Sequence, residues 1–109
     1  MRRVPRFLSS APAEVVWDGS IELTRVSEIS RYGCYLETSK TLEPGSVITV
    51  KIMDNCGLFE ATATVLYSRT PGGVGVAFHD VKSVFQTMLD DWLSRSVELH
   101  HEIPRLNRE

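Results

Sequence analysis

The chain has 109 residues and a formal net charge of −2, with 42% hydrophobic and 24% charged residues. This length fits one domain, and the composition is that of a soluble globular protein rather than a disordered chain. The negative charge argues against a general nucleic-acid-binding protein, because such proteins usually carry a basic face over the whole domain.

The two cysteines, Cys34 and Cys56, have neither CxxC spacing nor a histidine at ligand distance. A zinc site is therefore not expected, and a secreted disulfide scaffold would contain more cysteine. We interpret both as reduced thiols and predict a cytoplasmic protein without a metal or cofactor. No stretch approaches the about 18 consecutive apolar residues of a membrane span, so no span is expected.

The N-terminal segment, residues 1–11, is basic: Arg2, Arg3 and Arg6 stand there without an acidic neighbour. Terminal segments are poorly ordered unless something holds them, so we predict a flexible arm without regular structure. A local group of cations on a mildly acidic body suits a small anionic ligand better than a long polyanion. DNA or RNA is therefore not expected as a partner.

Residues 13–78 are rich in alternating apolar and polar side chains, interrupted by turn sequences such as Asp18-Gly19. This pattern predicts six strands, at 13–17, 21–26, 33–38, 47–53, 59–67 and 74–78. In the second strand, Ile21, Leu23 and Val26 are predicted to share one face. Many short strands with frequent turns indicate a sandwich or a barrel.

The apolar spacing changes to three and four residues after residue 80, which predicts an amphipathic helix over about 83–97. The apolar positions are Val81, Val84, Phe85, Met88, Leu89 and Trp92. Ser83 and Gln86 are predicted to form a capping box at the start of the helix. The fold class is therefore all-β with a C-terminal helix, with one domain over 12–99 and a polar tail over 100–109.

Two short patterns carry residues suited to a ligand. Arg2 and Arg6 form RxxxR, and Glu28, Ser30 and Gly33 form ExSxxG. A guanidinium can bind phosphate oxygens bidentately, bind the O6 and N7 edge of guanine, or stack on a base. Ser30 offers a hydroxyl, Gly33 offers room or a positive φ, and Glu28 offers an acceptor for guanine N–H groups. Each pattern alone is more often a solvated basic tail or an ordinary turn.

In this order and spacing the two patterns resemble the PilZ domain family, which has RxxxR in an N-terminal arm and [D/N]xSxxG further along. The resemblance extends through Gly75-Val76-Ala77-Phe78, similar to the closing GVxF strand of the family, and covers about residues 2–95. It implies a six-stranded antiparallel β-barrel that acts as a receptor for the bacterial second messenger cyclic di-GMP and signals to a protein partner. The ligand-binding residues it implies are Arg2, Arg3, Arg6, Glu28, Ser30 and Gly33.

One position departs from the family pattern, since Glu28 stands where the family has Asp or Asn. The longer side chain either reaches the guanine edge along a shifted path or repels an anionic ligand. A degenerate PilZ-like interaction module that does not bind nucleotide is therefore the alternative. A different small barrel, an oligonucleotide binder or an enzyme, is the third hypothesis, although the sequence contains no convincing catalytic constellation. Arg31 is expected to face solvent, with compensation for Glu28 as the alternative, and Tyr32 is either a base-stacking surface or an exposed turn aromatic.

Overall fold

The structure is a computed structural model that describes residues 6–39, 41–54, 57–69 and 72–100. Within these ranges seven strands precede one helix. Their bounds are β1 Arg6–Leu8, β2 Pro12–Trp17, β3 Ser20–Ser30, β4 Gly33–Leu36, β5 Val47–Asp54, β6 Gly57–Arg69, β7 Gly73–His79 and α1 Ser83–His100.

Six strands, β2 to β7, close into an antiparallel barrel. Each pairs with two neighbours in the circular order β2-β3-β4-β7-β6-β5, and β5 returns to β2. Closure depends on two ladders between parts of the chain that are distant in sequence, because β2 pairs with β5 and β4 pairs with β7. The six-stranded barrel implied by the family resemblance is confirmed, and so is the C-terminal helix.

Alternate side chains of the strands fill the barrel interior. In β6, every second residue from Phe59 to Val65 is at most 4% exposed, whereas the residues between them are half-buried. The neighbouring strand β5 repeats the pattern with Ile48, Val50 and Ile52, each at most 2% exposed. Removing this apolar surface from water is the main favourable term in folding.

The prediction that Ile21, Leu23 and Val26 share one face of β3 is wrong. Ile21 and Leu23 are 66% and 75% exposed, whereas Val26 is fully buried. Side chains alternate along a strand, so residues three apart point to opposite faces. A β-bulge then follows between Val26 and Glu28, and it turns Ile29 inward as well.

The prediction that the N-terminal segment lacks regular structure is wrong at residues 6–8, which form β1. This strand pairs antiparallel with the end of β3, and Phe7 lies opposite Ile29. Phe7 is only 4% exposed and belongs to the barrel core. The buried ring explains why the segment is held against β3. Residues 1–5 of the predicted arm lie outside the described residues.

Helix α1 begins at Ser83 as predicted and extends to His100, three residues beyond the predicted end. It packs against β6 and adds Leu89, which is fully buried, to the core. The ring of Phe85 meets that of Phe59 edge-on, with centroids 6.3 Å apart. In the described part of the chain, no helix is long and apolar enough to cross a lipid bilayer. Of the predicted tail, residues 101–109 lie outside the described residues.

The start of α1 differs from the predicted capping box. The backbone N–H of Gln86 donates to the carbonyl of Lys82 at 2.9 Å, so Lys82 rather than Ser83 occupies the cap position. The side chain of Gln86 points forward along the helix and donates to Asp90 at 3.1 Å. The box is therefore replaced by a contact one turn further on.

Candidate functional site

Arg6 and Glu28 lie side by side on the barrel surface because β1 pairs with β3. The ladder sets Arg6 opposite Ser30 and Leu8 opposite Glu28. Arg6 Nη1 lies 3.5 Å from Glu28 Oε1, and the two side chains are 64% and 40% exposed. An exposed pair of this kind contributes at most about 1 kcal/mol. Arg6 is therefore placed by its strand but can still exchange its partner.

The hydroxyl of Ser30 organises the turn between β3 and β4. Its Oγ accepts a hydrogen bond from the backbone N–H of Tyr32 at 3.2 Å and donates to the carbonyl of Gly33 at 3.3 Å. The carbonyl of Tyr32 accepts the backbone N–H of Phe78 on β7 at 2.8 Å. Both Ser30 bonds are long, so the hydroxyl could exchange one for a ligand oxygen at small cost. The Tyr32 side chain remains 61% exposed.

Gly33 is required by the packing of two strands. It pairs with Ala77 on β7, and a Cβ at this position would lie 2.1 Å from the carbonyl oxygen of Val76. The glycines with positive φ in the described residues are Gly19, Gly45, Gly57 and Gly73. Gly33 was expected either to have a positive φ or to leave room for a close approach. It has no positive φ, and the room left by its missing side chain is taken by the backbone of β7.

Arg31 is exposed, as expected, but its guanidinium also has a partner within the protein. Its Nη1 donates to Asp90 Oδ1 on α1 at 3.2 Å, with the two side chains 51% and 43% exposed. The same oxygen accepts the side-chain amide of Gln86. Arg31 and Asp90 are separated by 59 positions in the chain. The turn that carries the ExSxxG pattern is thus tied to the C-terminal helix, which no local pattern could indicate.

Two tyrosines and an arginine form a cluster that the sequence analysis missed. Tyr35 on β4 and Tyr67 on β6 flank Gly75 of β7, and their ring centroids are 6.3 Å apart. The guanidinium carbon of Arg69 lies 5.7 Å from the Tyr35 centroid and 5.6 Å from that of Tyr67. Tyr35 follows Gly33 by two residues, so the two share one face of β4. The pairing of β4, β7 and β6 is what brings the cluster together.

Two residues that could have indicated catalysis have ordinary roles. Cys34 points into the core, and burial raises the pKa of its thiol well above the usual range, which keeps it protonated and unreactive. The ring of His79 contacts Thr64 Oγ1 at 2.9 Å and Asp80 Oδ2 at 3.4 Å on the outer surface. Within the described ranges, no three histidine, cysteine or acidic residues are grouped closely enough to hold a metal ion.

Four of the six predicted ligand residues belong to the described part of the chain, and the structure brings them together. Arg6 pairs with Glu28 and lies opposite Ser30, which in turn bonds Gly33. The other two, Arg2 and Arg3, lie outside the described residues. The geometry thus joins the end of the arm to the turn between β3 and β4.

A closed six-stranded barrel with an N-terminal strand laid on β3 and a C-terminal helix defines the class of fold. The family model of the PilZ domain matches residues 1–95. Since the match covers most of the chain, this protein belongs to the PilZ domain family. No match is found among curated protein sequences.

Solved structures share the fold at low sequence identity. The MrkH–c-di-GMP complex of K. pneumonia aligns with a TM-score of 0.76 and 17% identity, over 90% of this chain and 52% of MrkH. The inhibitor of motility MotI/DgrA of Bacillus subtilis aligns with a TM-score of 0.74 and 12% identity, over 92% of this chain and 53% of that protein. The c-di-GMP-bound PilZ domain of YcgR from Escherichia coli aligns with a TM-score of 0.64 and 18% identity, over 89% and 95% of the two chains. The alignment thus spans about half the length of the first two.

Proposed function

We propose that the protein is a receptor for cyclic di-GMP that binds the dinucleotide on the barrel wall beside β1. The observation that carries the proposal is the convergence of Arg6, Glu28, Ser30 and Gly33 at one place, in a chain that belongs to the PilZ domain family. The structures of MrkH and of the YcgR domain, which share the fold, contain c-di-GMP. Their ligand supports a cyclic dinucleotide as the ligand of this protein.

Each residue has a role that its chemistry allows. Arg6 would bind a phosphate or a guanine edge through its guanidinium, and Arg2 and Arg3 would add further cations from the arm. Ser30 would donate its hydroxyl to a phosphate oxygen, and Glu28 would accept guanine N–H groups. Gly33 would act through the fold, by letting β4 approach β7.

The cluster of Tyr35, Tyr67 and Arg69 would extend the site along the outer face of β4. Aromatic rings accept bases by stacking, and a guanidinium adds a cation for the same ligand. Tyr67 is 42% exposed, so its ring has surface available to a base. A dinucleotide with two guanines and two phosphates could use both this cluster and Arg6.

Binding would act without covalent chemistry. Arg2 and Arg3 would bind the ligand together with Arg6, and the altered surface would signal to a protein partner in the cytoplasm. Phe7 anchors β1 in the core, so Arg6 is already in place before the ligand arrives. This reduces the ordering cost of binding.

The test is a calorimetric titration of the protein with cyclic di-GMP, beside an Arg2→Ala/Arg6→Ala variant. Binding at micromolar affinity or tighter that the variant loses would support the receptor, and the stoichiometry would show whether one or two dinucleotides are held. Arg25→Ala is the matched control, since Arg25 on β3 is likewise an exposed arginine paired with a glutamate, Glu37, at 3.5 Å.

The second candidate is a PilZ-like interaction module that does not bind nucleotide. The ion pair between Arg6 and Glu28 favours this candidate, because Glu28 already binds the guanidinium group that a ligand phosphate would need. Absence of heat and of NMR chemical-shift changes with a folded protein would support this candidate over the receptor. A protein partner whose binding is independent of cyclic di-GMP would then be sought.

A further inference from the structure

Arg6 and Arg31, which lie opposite and next to Ser30, are both paired with carboxylates. Arg6 pairs with Glu28 within the barrel wall, whereas Arg31 reaches across to Asp90 on α1. A carboxylate and a phosphate present the same kind of oxygen pair to a guanidinium. Each acid therefore stands where a ligand phosphate could bind the arginine.

We propose, on the basis of the proposed function, that Arg31 is a further phosphate-binding residue and that Asp90 competes with the ligand for it. Arg31 follows Ser30 directly and is half exposed, so its guanidinium can turn from the helix towards the ligand. Occupancy of the site then releases the contact between the β3–β4 turn and α1. Asp90 thereby links the state of the site to the C-terminal helix.

Moving Arg31 from Asp90 to a ligand phosphate costs little free energy, because the ion pair is exposed and Asp90 keeps a second partner. The pair is exposed on both sides, and exposed ion pairs contribute little. When Arg31 leaves, Asp90 Oδ1 still accepts the side-chain amide of Gln86 at 3.1 Å. The neighbouring Leu89 is fully buried, so α1 stays docked on the barrel while its contact with the turn is lost.

The coupling is reciprocal. If the ligand draws Arg31 away from Asp90, it raises the affinity of α1 for a partner that binds Asp90. That partner must then raise the affinity of the protein for the ligand by the same factor. The exposed face of α1 around Asp90 is thus the surface whose properties change with ligand occupancy.

The experiment measures the Kd for cyclic di-GMP of four variants by calorimetry. We expect Asp90→Asn to tighten binding by about two- to fivefold, the range allowed by an exposed ion pair. Arg31→Ala should weaken binding by a similar factor, and the double variant should resemble Arg31→Ala, because Asp90 acts only through Arg31. Asp91→Asn is the matched control: it removes the same charge one residue further along, from a carboxylate that pairs with Arg95 at 3.3 Å. It should leave the Kd unchanged.

Hydrogen exchange of the α1 amides provides a second measurement. In the wild type, cyclic di-GMP should speed exchange around Asp90, and in Asp90→Asn this response should disappear. Thermal unfolding of each variant checks that the fold is intact.

The outcomes separate this inference from the function on which it rests. If the wild type does not bind cyclic di-GMP, the proposed function fails and the inference fails with it. If the wild type binds and Asp90→Asn matches Asp91→Asn, or binds more weakly, the receptor stands and the role of Asp90 as a competitor is overturned.

Discussion

Arg6 and Glu28 form an ion pair across the ladder between β1 and β3, with 3.5 Å between Nη1 and Oε1. Glu28 is also the residue at which this chain departs from the family pattern. The longer acid therefore has a definite structural partner, and that partner is the arginine that we propose binds a ligand phosphate.

Replacing Glu28 with Asp should tighten the binding of cyclic di-GMP. The shorter carboxylate keeps an acceptor for guanine but reaches Arg6 less well, so the guanidinium becomes available. We expect a decrease in Kd of up to about fivefold, measured by calorimetry. Glu37→Asp is the control, because Glu37 pairs with Arg25 at the same 3.5 Å distance. A weaker affinity in Glu28→Asp would show that Glu28 binds the ligand through its full length.

Phe7→Ala should destabilise the protein and release β1. The ring is 4% exposed, and truncating a buried Phe usually costs 3–5 kcal/mol; because detachment of a three-residue strand can limit the loss, we expect roughly 2–4 kcal/mol. Urea unfolding measures this change in free energy. The Kd for cyclic di-GMP should rise as well, since Arg6 loses its preset position.

The control for that experiment lies on the same strand. Leu8 is 71% exposed, so Leu8→Ala should change stability by no more than about 0.5 kcal/mol. If Phe7→Ala proved as mild as Leu8→Ala, the anchoring of β1 by Phe7 would be contradicted.

Gly33→Ala should impair the fold before it impairs any ligand contact. The added Cβ would lie 2.1 Å from the Val76 carbonyl oxygen, so β4 and β7 must separate. We expect a loss of about 1–3 kcal/mol in the free energy of unfolding, typical of overpacking. A Gly33→Ala variant of wild-type stability would contradict the close approach of the two strands.

Ser30→Ala should lower the free energy of unfolding by at most about 1.5 kcal/mol, because only two long hydrogen bonds are lost, yet it should weaken ligand binding.

Cys34 should make stability fall at alkaline pH. Burial raises the pKa of its thiol in the folded state, so its contribution is fully present below the unfolded pKa and is lost as the pH rises above it. Above an unfolded thiol pKa of about 8.5, the free energy of unfolding should fall by about 1.4 kcal/mol per pH unit from this group. The measurement is the difference in pH slope between the wild type and Cys34→Ala. Equal slopes would show that the folded thiol ionises normally.

The strands and the helix could be predicted because their signals are local. The alternation in Phe59–Val65 and the three–four spacing around Leu89 each depend on a few neighbouring residues, and the structure confirms both elements. The facing of Ile21, Leu23 and Val26 was predicted wrongly, since Val26 is offset from the other two by an odd number of residues and is followed by a bulge. The strand β1 was missed because three residues are too few to display a period.

Turn residues, periodicity and motifs can be read within short windows, so the amino-acid sequence was enough to predict a sandwich or barrel of short strands with a terminal helix and to identify the RxxxR and ExSxxG patterns. The resemblance that these patterns carry then favoured the barrel. Which residues meet depends on the tertiary structure. Arg6 reaches Glu28 through the β1–β3 ladder, Tyr35 meets Tyr67 across β7, and Arg31 contacts Asp90 at a separation of 59 residues. These contacts depend on barrel closure and on the docking of α1, which arise from burial of the whole core and leave no signature in any single segment of the chain.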